Sequence, residues 1–149
     1  MISDASPLIS LSDTGHLDLL HTIYETVYIP EEVFDEVFRN RGRVKPSWIK
    51  VVSLTKPETL ARFAQLLKDV DKGEAAAIAL AAEMELPVYI DDEAAYLIAK
   101  AAGVTVVRTH DLLRTLCDSR KLRPAKAKQV TVDIQLSGSY MEIFEYGDS

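Results

Sequence analysis

The sequence predicts a single three-layer α/β/α domain, spanning residues 1–149, built around a mainly parallel β-sheet. Short strand patterns alternate with helix patterns along the chain, which is typical of parallel sheets covered on both faces by right-handed crossovers. Of the 149 residues 48% are hydrophobic, and only six are glycine and six proline, as expected for one globular domain. The sequence also contains no internal repeat, low-complexity tract or linker.

The first elements are a short strand and a helix with recognisable ends. Residues 1–5, MISDA, have the pattern of a strand, and residues 6–15, SPLISLSDTG, have that of a helix. Ser6 is a candidate N-cap, Pro7 fits the first helical position, and Gly15 lies where the helix is expected to stop. The first helix is therefore predicted to begin soon after the first strand.

Residues 16–24 are predicted to form a second short helix, after which another strand and helix follow. TVYIP, residues 26–30, is the second predicted strand, and Pro30 opens the helix EEVFDEVFRN at residues 31–40. An apolar stripe along this helix consists of Val33, Phe34, Val37 and Phe38. WIKVVSL, residues 48–54, alternates like a strand or an extended segment.

The second half of the chain continues the alternation. Residues 57–70 and the alanine-rich residues 72–85 are predicted helices, and the small side chains of the second helix imply a close neighbour. LPVYI at 86–90 and VTVVRT at 104–109 are the last clear strands, each followed by a helix. From VTVDIQLSGSYM onward the pattern fits strand, helix or loop, and we expect the tail at 126–149 to pack on the domain or to be partly irregular.

The composition excludes several classes of protein. No apolar run approaches the ~20 residues that a membrane span needs, and the N-terminus lacks the order of a signal peptide, so we expect a cytoplasmic protein with no membrane partner. Cys117 is the only cysteine, and its helical core spacing favours packing over a nucleophilic role. The histidines, His16, His21 and His110, are too scattered to suggest a zinc or catalytic constellation.

The net charge of −6 would usually argue against a nucleic-acid ligand, because phosphate binding leaves a basic footprint. That objection fails if several acids converge on one pocket and hold divalent cations, since those cations attract phosphate. The sequence has two basic runs, residues 39–45 and 120–128. Such runs are usually solvated loops and helix ends, but they could also contact the phosphates of a nucleic acid. The residues predicted to contact nucleic acid are Arg39, Arg41, Arg43, Lys45, Arg120 and Lys121.

Acidic residues occur where the predicted strands end. Ligands of open parallel sheets bind beyond the carboxyl ends of the strands, near the switch in strand order. The polar candidates are Asp4, Asp91, Asp92, Thr109 and Asp111 at strand ends and Glu36 and Glu74 in helices. Each has an ordinary structural interpretation as a turn residue, a solvated helix position, a first-turn acid or a helix cap. Together they predict one acidic pocket, because the topology brings strand ends to the same edge.

Five segments occur in an order that carries a family resemblance: ISDASPLISL, VYIPEEVFDEVF, DKGEAAAIALA, VYIDDEAAYLIAKAAGV and RTHDLLRTL. Together they resemble the PIN domain family, specifically its compact prokaryotic toxin-like branch, most clearly over residues 1–125. The resemblance implies a PIN-like fold and a metal-dependent ribonuclease whose acids hold one or two Mg²⁺ or Mn²⁺ ions. Carried over position by position, those acids are Asp4, Glu36, Glu74 and Asp92, with Asp91 adjacent.

The resemblance also implies roles for these residues. Asp4 and Asp92 are expected to bind metal directly, and Glu36 and Glu74 to bind it directly or through water, with either one orienting the nucleophile. Asp91 either assists Asp92 or caps the next helix. Two hydroxyl groups are candidates to hydrogen-bond metal-bound water or Asp4, those of Ser6 and Thr109.

The chain departs from the family pattern in two places. Glu93 and Tyr96 stand where related chains often have basic residues, which makes the rim of the pocket more acidic. RTHD at 108–111 stands where related chains commonly have a Gly-Thr-Leu-Gly turn. Asp111 is therefore either an additional group at the metal site or, more simply, a helix N-cap.

The predicted function is endonucleolytic cleavage of single-stranded RNA by the toxin of a toxin–antitoxin pair. Two alternatives stay open: a catalytically inactive PIN-fold module that binds nucleic acid or a partner, and an aspartate-based phosphotransferase. The second would need Asp-x-Asp after the first strand, where Ser6 takes the second place. The expected partners are RNA and an antitoxin peptide that reaches the acids with a basic side chain. A homodimer is also plausible, through the apolar faces around Leu8, Leu11, Leu17 and Leu20.

Overall fold

Five parallel strands form the centre of the computed structural model, which describes residues 1–147. They are β1 (Ile2–Ser3), β2 (Val27–Pro30), β3 (Ile49–Val52), β4 (Val88–Tyr89) and β5 (Val106–Val107). The strand order is β3-β2-β1-β4-β5, and Ile2 lies opposite both Tyr28 and Val88. The strand order therefore reverses direction between β1 and β4, which is where an open α/β sheet places its ligand.

Helices cover both faces of this sheet, which confirms the predicted three-layer α/β/α fold. They are α1 (Ala5–Asp13), α2 (Asp18–Ile23), α3 (Glu31–Phe34, continued by a π-helical turn, Asp35–Arg39), α4 (Pro57–Leu66), α5 (Lys72–Met84), α6 (Glu93–Ala101), α7 (Thr109–Asp118) and α8 (Pro124–Leu136). None of the helices within residues 1–147 has the length and apolar character needed to cross a membrane.

The start of α1 differs from the sequence prediction. The helix begins at Ala5, and Asp4, in an extended conformation, occupies the N-cap position that had been assigned to Ser6. Ser6 and Pro7 both lie in the first turn, where backbone N–H groups have no helical acceptor, so the proline is tolerated there. The shift places the Asp4 carboxyl directly between β1 and α1.

The tail resolves into a helix and an irregular segment. Helix α8 ends at Leu136, and the chain then continues to residue 147 without regular structure. Met141 and Phe144 are nevertheless buried in the core, and the backbone N–H of Phe144 donates to Thr131 Oγ1 at 2.9 Å. The segment after α8 is therefore packed on the domain.

The core lies on both sides of the sheet. On one side α5 and α6 contribute mainly alanines, whose small side chains let the helices approach the strands closely. The other side is filled by larger side chains from α1, α2, α3, α7 and α8. Leu8, Leu11 and Leu20 are buried there and Leu17 packs against them, so these leucines serve the core of this chain and do not offer a dimer surface. The homodimer itself stays a prediction.

Candidate functional site

Asp4 is the most buried acid at the carboxyl edge of the sheet. It follows β1 directly, and its backbone N–H donates to Tyr89 O at 3.1 Å, which ties it to β4. The residue is only 2% exposed, and apart from the interaction with the Ala5 backbone N–H its carboxyl makes no capping hydrogen bond to α1. Within residues 1–147 no Lys, Arg or His forms an ion pair with it. A carboxylate held in this way is destabilised relative to the same group in water.

Three other acids act electrostatically on Asp4. Burial is the largest cause that raises the pKa of Asp4 to about 8, and a hydrogen bond from the Ala5 backbone opposes the rise. The charges of Glu74, Asp71 and Glu36 raise this pKa further. The structure therefore places Glu36 and Glu74 close enough to act on Asp4, together with Asp71, which was not among the predicted residues.

Asp71 and Glu74 are held together at the start of α5. Asp71 Oδ1 accepts from the backbone N–H of Glu74 at 2.8 Å, and Glu74 Oε1 accepts from the backbone N–H of Asp71 at 3.1 Å, which forms a capping box. Burial chiefly raises the pKa of Glu74 to about 7, the Asp71 backbone hydrogen bond opposes this, and the charges of Asp71 and Asp92 add to it. The Asp-x-x-Glu spacing could have revealed Asp71, which the sequence analysis missed.

Glu36 reaches the same place from the π-helical turn that continues α3. One extra residue in such a turn changes the direction of the following side chains, and these turns occur often at functional sites. Glu36 Oε1 lies 2.6 Å from the position that a Cβ on Gly73 would occupy, so a larger residue at position 73 would displace the Glu36 carboxylate from this place. Burial and the charge of Asp71 raise the pKa of Glu36.

Asp91 and Asp92 divide their roles in a way that the sequence did not predict. Asp92 is the N-cap of α6, where Oδ2 accepts from Ala95 N at 2.8 Å, and its charge acts on Glu74. Both Asp91 oxygens accept from Thr109, one from its backbone N–H at 2.9 Å and the other from its hydroxyl. Asp91 therefore ties the end of β4 to the start of α7, and it is Asp92 that faces the acids.

Thr109 has a different partner from the one expected. Its hydroxyl binds Asp91 and also lies within hydrogen-bond distance of the buried Tyr89 hydroxyl. Because the single Thr109 proton goes to Asp91, Tyr89 donates to Thr109. Burial, the charge of Asp91 and a smaller effect of Tyr24 raise the pKa of Tyr89, with the Thr109 hydrogen bond opposing, so this phenol keeps its proton.

Two further predicted residues, Ser6 and Asp111, line a cleft of about 800 Å³ next to the acids. Asp92 lines this cleft as well. Ser6 lines it and is exposed, and Asp111 Oδ2 accepts from the Arg108 backbone at 2.9 Å, which closes the first turn of α7. The two places where the sequence differs from the family pattern contact each other beside this cleft. The Arg108 guanidinium donates to Glu93 at 2.8 Å and lies 4.6 Å above the ring of Tyr96.

The predicted nucleic-acid contacts lie elsewhere. Both basic runs follow helices that begin at the carboxyl edge and run back along the strands, so they lie at the amino edge. Several of these residues have partners there. The pairs are Arg39 with Asp35 at 3.3 Å, Arg41 and Arg43 with Asp13 at 3.3 and 2.5 Å, Lys45 with Ile49 O at 2.5 Å, and Lys121 with Thr22 O at 3.2 Å. Arg120 is exposed. Within residues 1–147 none of these six residues forms an ion pair with Asp4, Glu36, Glu74 or Asp92, and their contact with RNA stays a prediction.

The acids at the carboxyl edge fit a hydrated divalent cation by their chemistry. In the described part of the chain no three His, Cys, Asp or Glu side chains form a ready-made metal site. Mg²⁺ does not require one, because it usually keeps several waters and binds through one or two carboxylates. The donor set, which is made of oxygen ligands alone, suits such a hard ion. The acids therefore fit a hydrated ion better than a fully protein-coordinated one.

The fold and the acids together define an α/β domain of the nuclease type. A family model described as a PIN domain matches residues 1–146, so the chain belongs to the PIN domain family. Members of this family are generally nucleases and typically use divalent metal ions. A search of the curated proteins gives no match to this chain. The family match covers the irregular segment after α8 as well as the sheet and its helices.

Proposed function

We propose that this protein is a metal-dependent endoribonuclease that cleaves single-stranded RNA. The observation that carries the proposal is Asp4, a carboxyl that has no basic partner within residues 1–147 and whose pKa is raised to about 8, chiefly by burial and further by the charges of nearby acids. A divalent cation relieves this repulsion, because it is the counter-charge that the protein itself does not provide. Binding of the ion and of a phosphodiester would therefore occur at the same edge.

Four acids would share the work. Asp4 and Asp92 would hold one or two Mg²⁺ or Mn²⁺ ions. When bound, such an ion supplies an activated water and reduces the negative charge at the phosphate and the leaving oxygen. Glu36 and Glu74 would orient the attacking water. Glu74 is suited to take its proton, because its pKa in the metal-free protein is raised to about 7, which makes its carboxylate more basic than that of an exposed glutamate.

We also propose that the protein acts in the cytoplasm as the toxin of a toxin–antitoxin pair. The uncompensated acids support this, since a Lys or Arg from an antitoxin peptide would neutralise them and compete with the metal. Unpaired RNA is the proposed substrate because it can enter a carboxylate groove more easily than a stiff duplex. A homodimer would have to use a surface other than the buried leucines of α1 and α2.

The test is cleavage of a pool of unstructured RNA by purified protein in Mn²⁺ or in EDTA. We expect cleavage in Mn²⁺ alone, its loss in Asp4→Asn, and its retention in Asp18→Asn, which removes an exposed acid from α2. Cleavage that persists in EDTA, or equally in Asp4→Asn, would contradict the proposal.

The second candidate function is an inactive PIN-fold module that binds without cleaving. It is favoured by the lack of a ready-made cluster of three metal ligands among residues 1–147. Folded wild-type protein that binds the RNA pool in Mn²⁺ but leaves every strand intact would support this alternative over the nuclease.

A further inference from the structure

The cleft beside the acids continues the candidate active site. Asp92 lines this cleft of about 800 Å³ and also acts on Glu74, so one residue belongs to both places. The other walls come from the start of α1, the start of α7 and residues 139–142 of the tail. A strand whose phosphodiester lies at the acids would therefore extend a neighbouring nucleotide into this space.

The tail forms a fixed wall of the cleft. Met141 and Phe144 are buried, Gln135 Nε2 donates to Met141 O at 2.8 Å, and His110 Nε2 donates to Glu142 O at 2.9 Å. Tyr140, next to these anchors, is 89% exposed although it lines the cleft. The anchored residues that follow Tyr140 thus hold up an aromatic ring whose surface is left free by packing within residues 1–147.

The chemistry of the cleft favours a nucleobase over a phosphate. The lining includes carboxylates and serine hydroxyls, and its guanidinium, that of Arg108, is already bound to Glu93 and to the backbone oxygen of Asp91. A phosphate would meet negative charge here, whereas a neutral base can stack on an aromatic ring and hydrogen-bond to hydroxyls. The volume falls within the roughly 300–1,000 Å³ typical of small-ligand sites.

We propose that this cleft binds one unpaired nucleobase, stacked on Tyr140, from the nucleotide next to the phosphodiester held at the acids. The proposal rests on the proposed function for the identity of the ligand, which is single-stranded RNA. Base stacking of this kind tolerates different sequences, because every base has an aromatic face.

The first test measures binding of a short fluorescent single-stranded RNA with a non-hydrolysable backbone in Mg²⁺, with the wild-type protein as the parent, so that the acids keep their ion and the RNA stays intact. Tyr140→Ala should weaken binding roughly 5- to 150-fold, the effect of losing one stacked base, and Tyr140→Phe should bind like the parent. Leu136→Ala is the matched control, because Leu136 is 80% exposed at the end of α8 and does not line the cleft. Equal binding by Tyr140→Ala and Leu136→Ala, or no measurable RNA binding by the folded parent, would overturn the proposal.

The second test moves a single abasic site along the same RNA. One position should lose affinity in the parent and lose nothing further in Tyr140→Ala, because the two changes remove the same contact. Equal losses at every position, or additive losses with Tyr140→Ala, would exclude a dedicated base site. Both tests are independent of cleavage, so an inactive wild type would refute the proposed function without deciding the role of the cleft.

Discussion

The two edges of the sheet differ in the burial and the pairing of their charged side chains. At the carboxyl edge Asp4 is buried near Glu36, Asp71 and Glu74, and no basic side chain of residues 1–147 forms an ion pair with it. At the amino edge the charges are paired and more exposed: Asp13, for example, binds the guanidinium groups of two arginines. Among residues 1–147 the one buried charged side chain is that of Asp4, and it lies at the carboxyl edge.

This difference indicates where a ligand is needed. Exposed ion pairs contribute little to stability, typically about 0–1 kcal/mol, so the amino edge is complete without a partner. Buried carboxylates without a counter-charge destabilise the fold, so their presence calls for a cation. Function is therefore expected at the edge where the charge is not balanced, and the following predictions test that expectation from the largest effect to the smallest.

Asp4→Asn should have the largest effect and should change activity and stability in opposite directions. The amide cannot hold the ion, so RNA cleavage in Mn²⁺ should be lost, while removal of the buried charge should raise the melting temperature in EDTA at pH 8. Asp13→Asn, at the opposite edge, should leave cleavage intact and lower the melting temperature slightly. If both variants shift the melting temperature in the same direction, the two edges do not differ as described.

Glu74→Gln should lower cleavage by roughly 10²–10⁴-fold, the usual contribution of a general base. The glutamine keeps an oxygen that can accept from the Asp71 backbone, so the capping box and the fold should survive. Rate profiles against pH would check the role. The wild-type rate should rise as Glu74 loses its proton, and this ascending limb should disappear in Glu74→Gln; an unchanged limb would assign the proton transfer to another group.

The apo protein should become less stable as the pH rises from 5 to 8. The pKa of Asp4 is raised from 3.8 to about 8, so between these values the unfolded chain is ionised while the folded chain keeps the proton. The stability that comes from the proton held by Asp4 in the folded state is fully present below pH 3.8 and is lost as the pH approaches 8. Glu74 acts in the same direction, because its pKa is also raised. Melting curves in EDTA should show a smaller decline for Asp4→Asn than for wild type, and parallel declines would contradict the raised pKa.

Thr109→Val should destabilise the protein by about 1–3 kcal/mol, because it leaves the buried Tyr89 hydroxyl and one Asp91 oxygen without a partner. Thr109→Ser retains the hydroxyl and is the matched control. Chemical denaturation would measure the difference. Equal stability of the two variants would mean that Asp91 does not depend on this hydrogen bond.

The sequence was sufficient to predict the fold, and topology is also the reason why acids were expected at one edge of the sheet. Parallel strands end at one edge, so Asp4 and Asp92 could be placed together without knowing any distance. Glu36 and Glu74 were placed by family resemblance. The structure then supported their grouping through the electrostatic effect on Asp4.

The details that sequence could not predict depend on contacts between distant segments. Asp91 and Asp92 are adjacent and chemically identical, and only the approach of Thr109, 18 residues away, separates their roles. The π-helical turn at Asp35–Arg39 leaves no clear periodic signal, although it carries Glu36. Tyr140 lies in a segment without regular structure, so its place in the wall of the cleft depends on the hydrogen bonds to the backbone oxygens of the two residues that follow it.

Neutralising Arg43 should have the smallest effect and tests the comparison from the other edge. Arg43 binds Asp13 and also donates to Ser12 Oγ at 2.8 Å, so Arg43→Gln should lower stability by less than about 1 kcal/mol. RNA affinity and its salt dependence should not change, because the Arg43 side chain already has partners and lies at the amino edge, opposite the acids. If instead the variant binds RNA more weakly and loses about one phosphate contact from its salt slope, the sequence-based assignment of the basic runs is supported. The bound RNA would then have to extend from the carboxyl edge to the amino edge, and the amino edge would be a second functional surface.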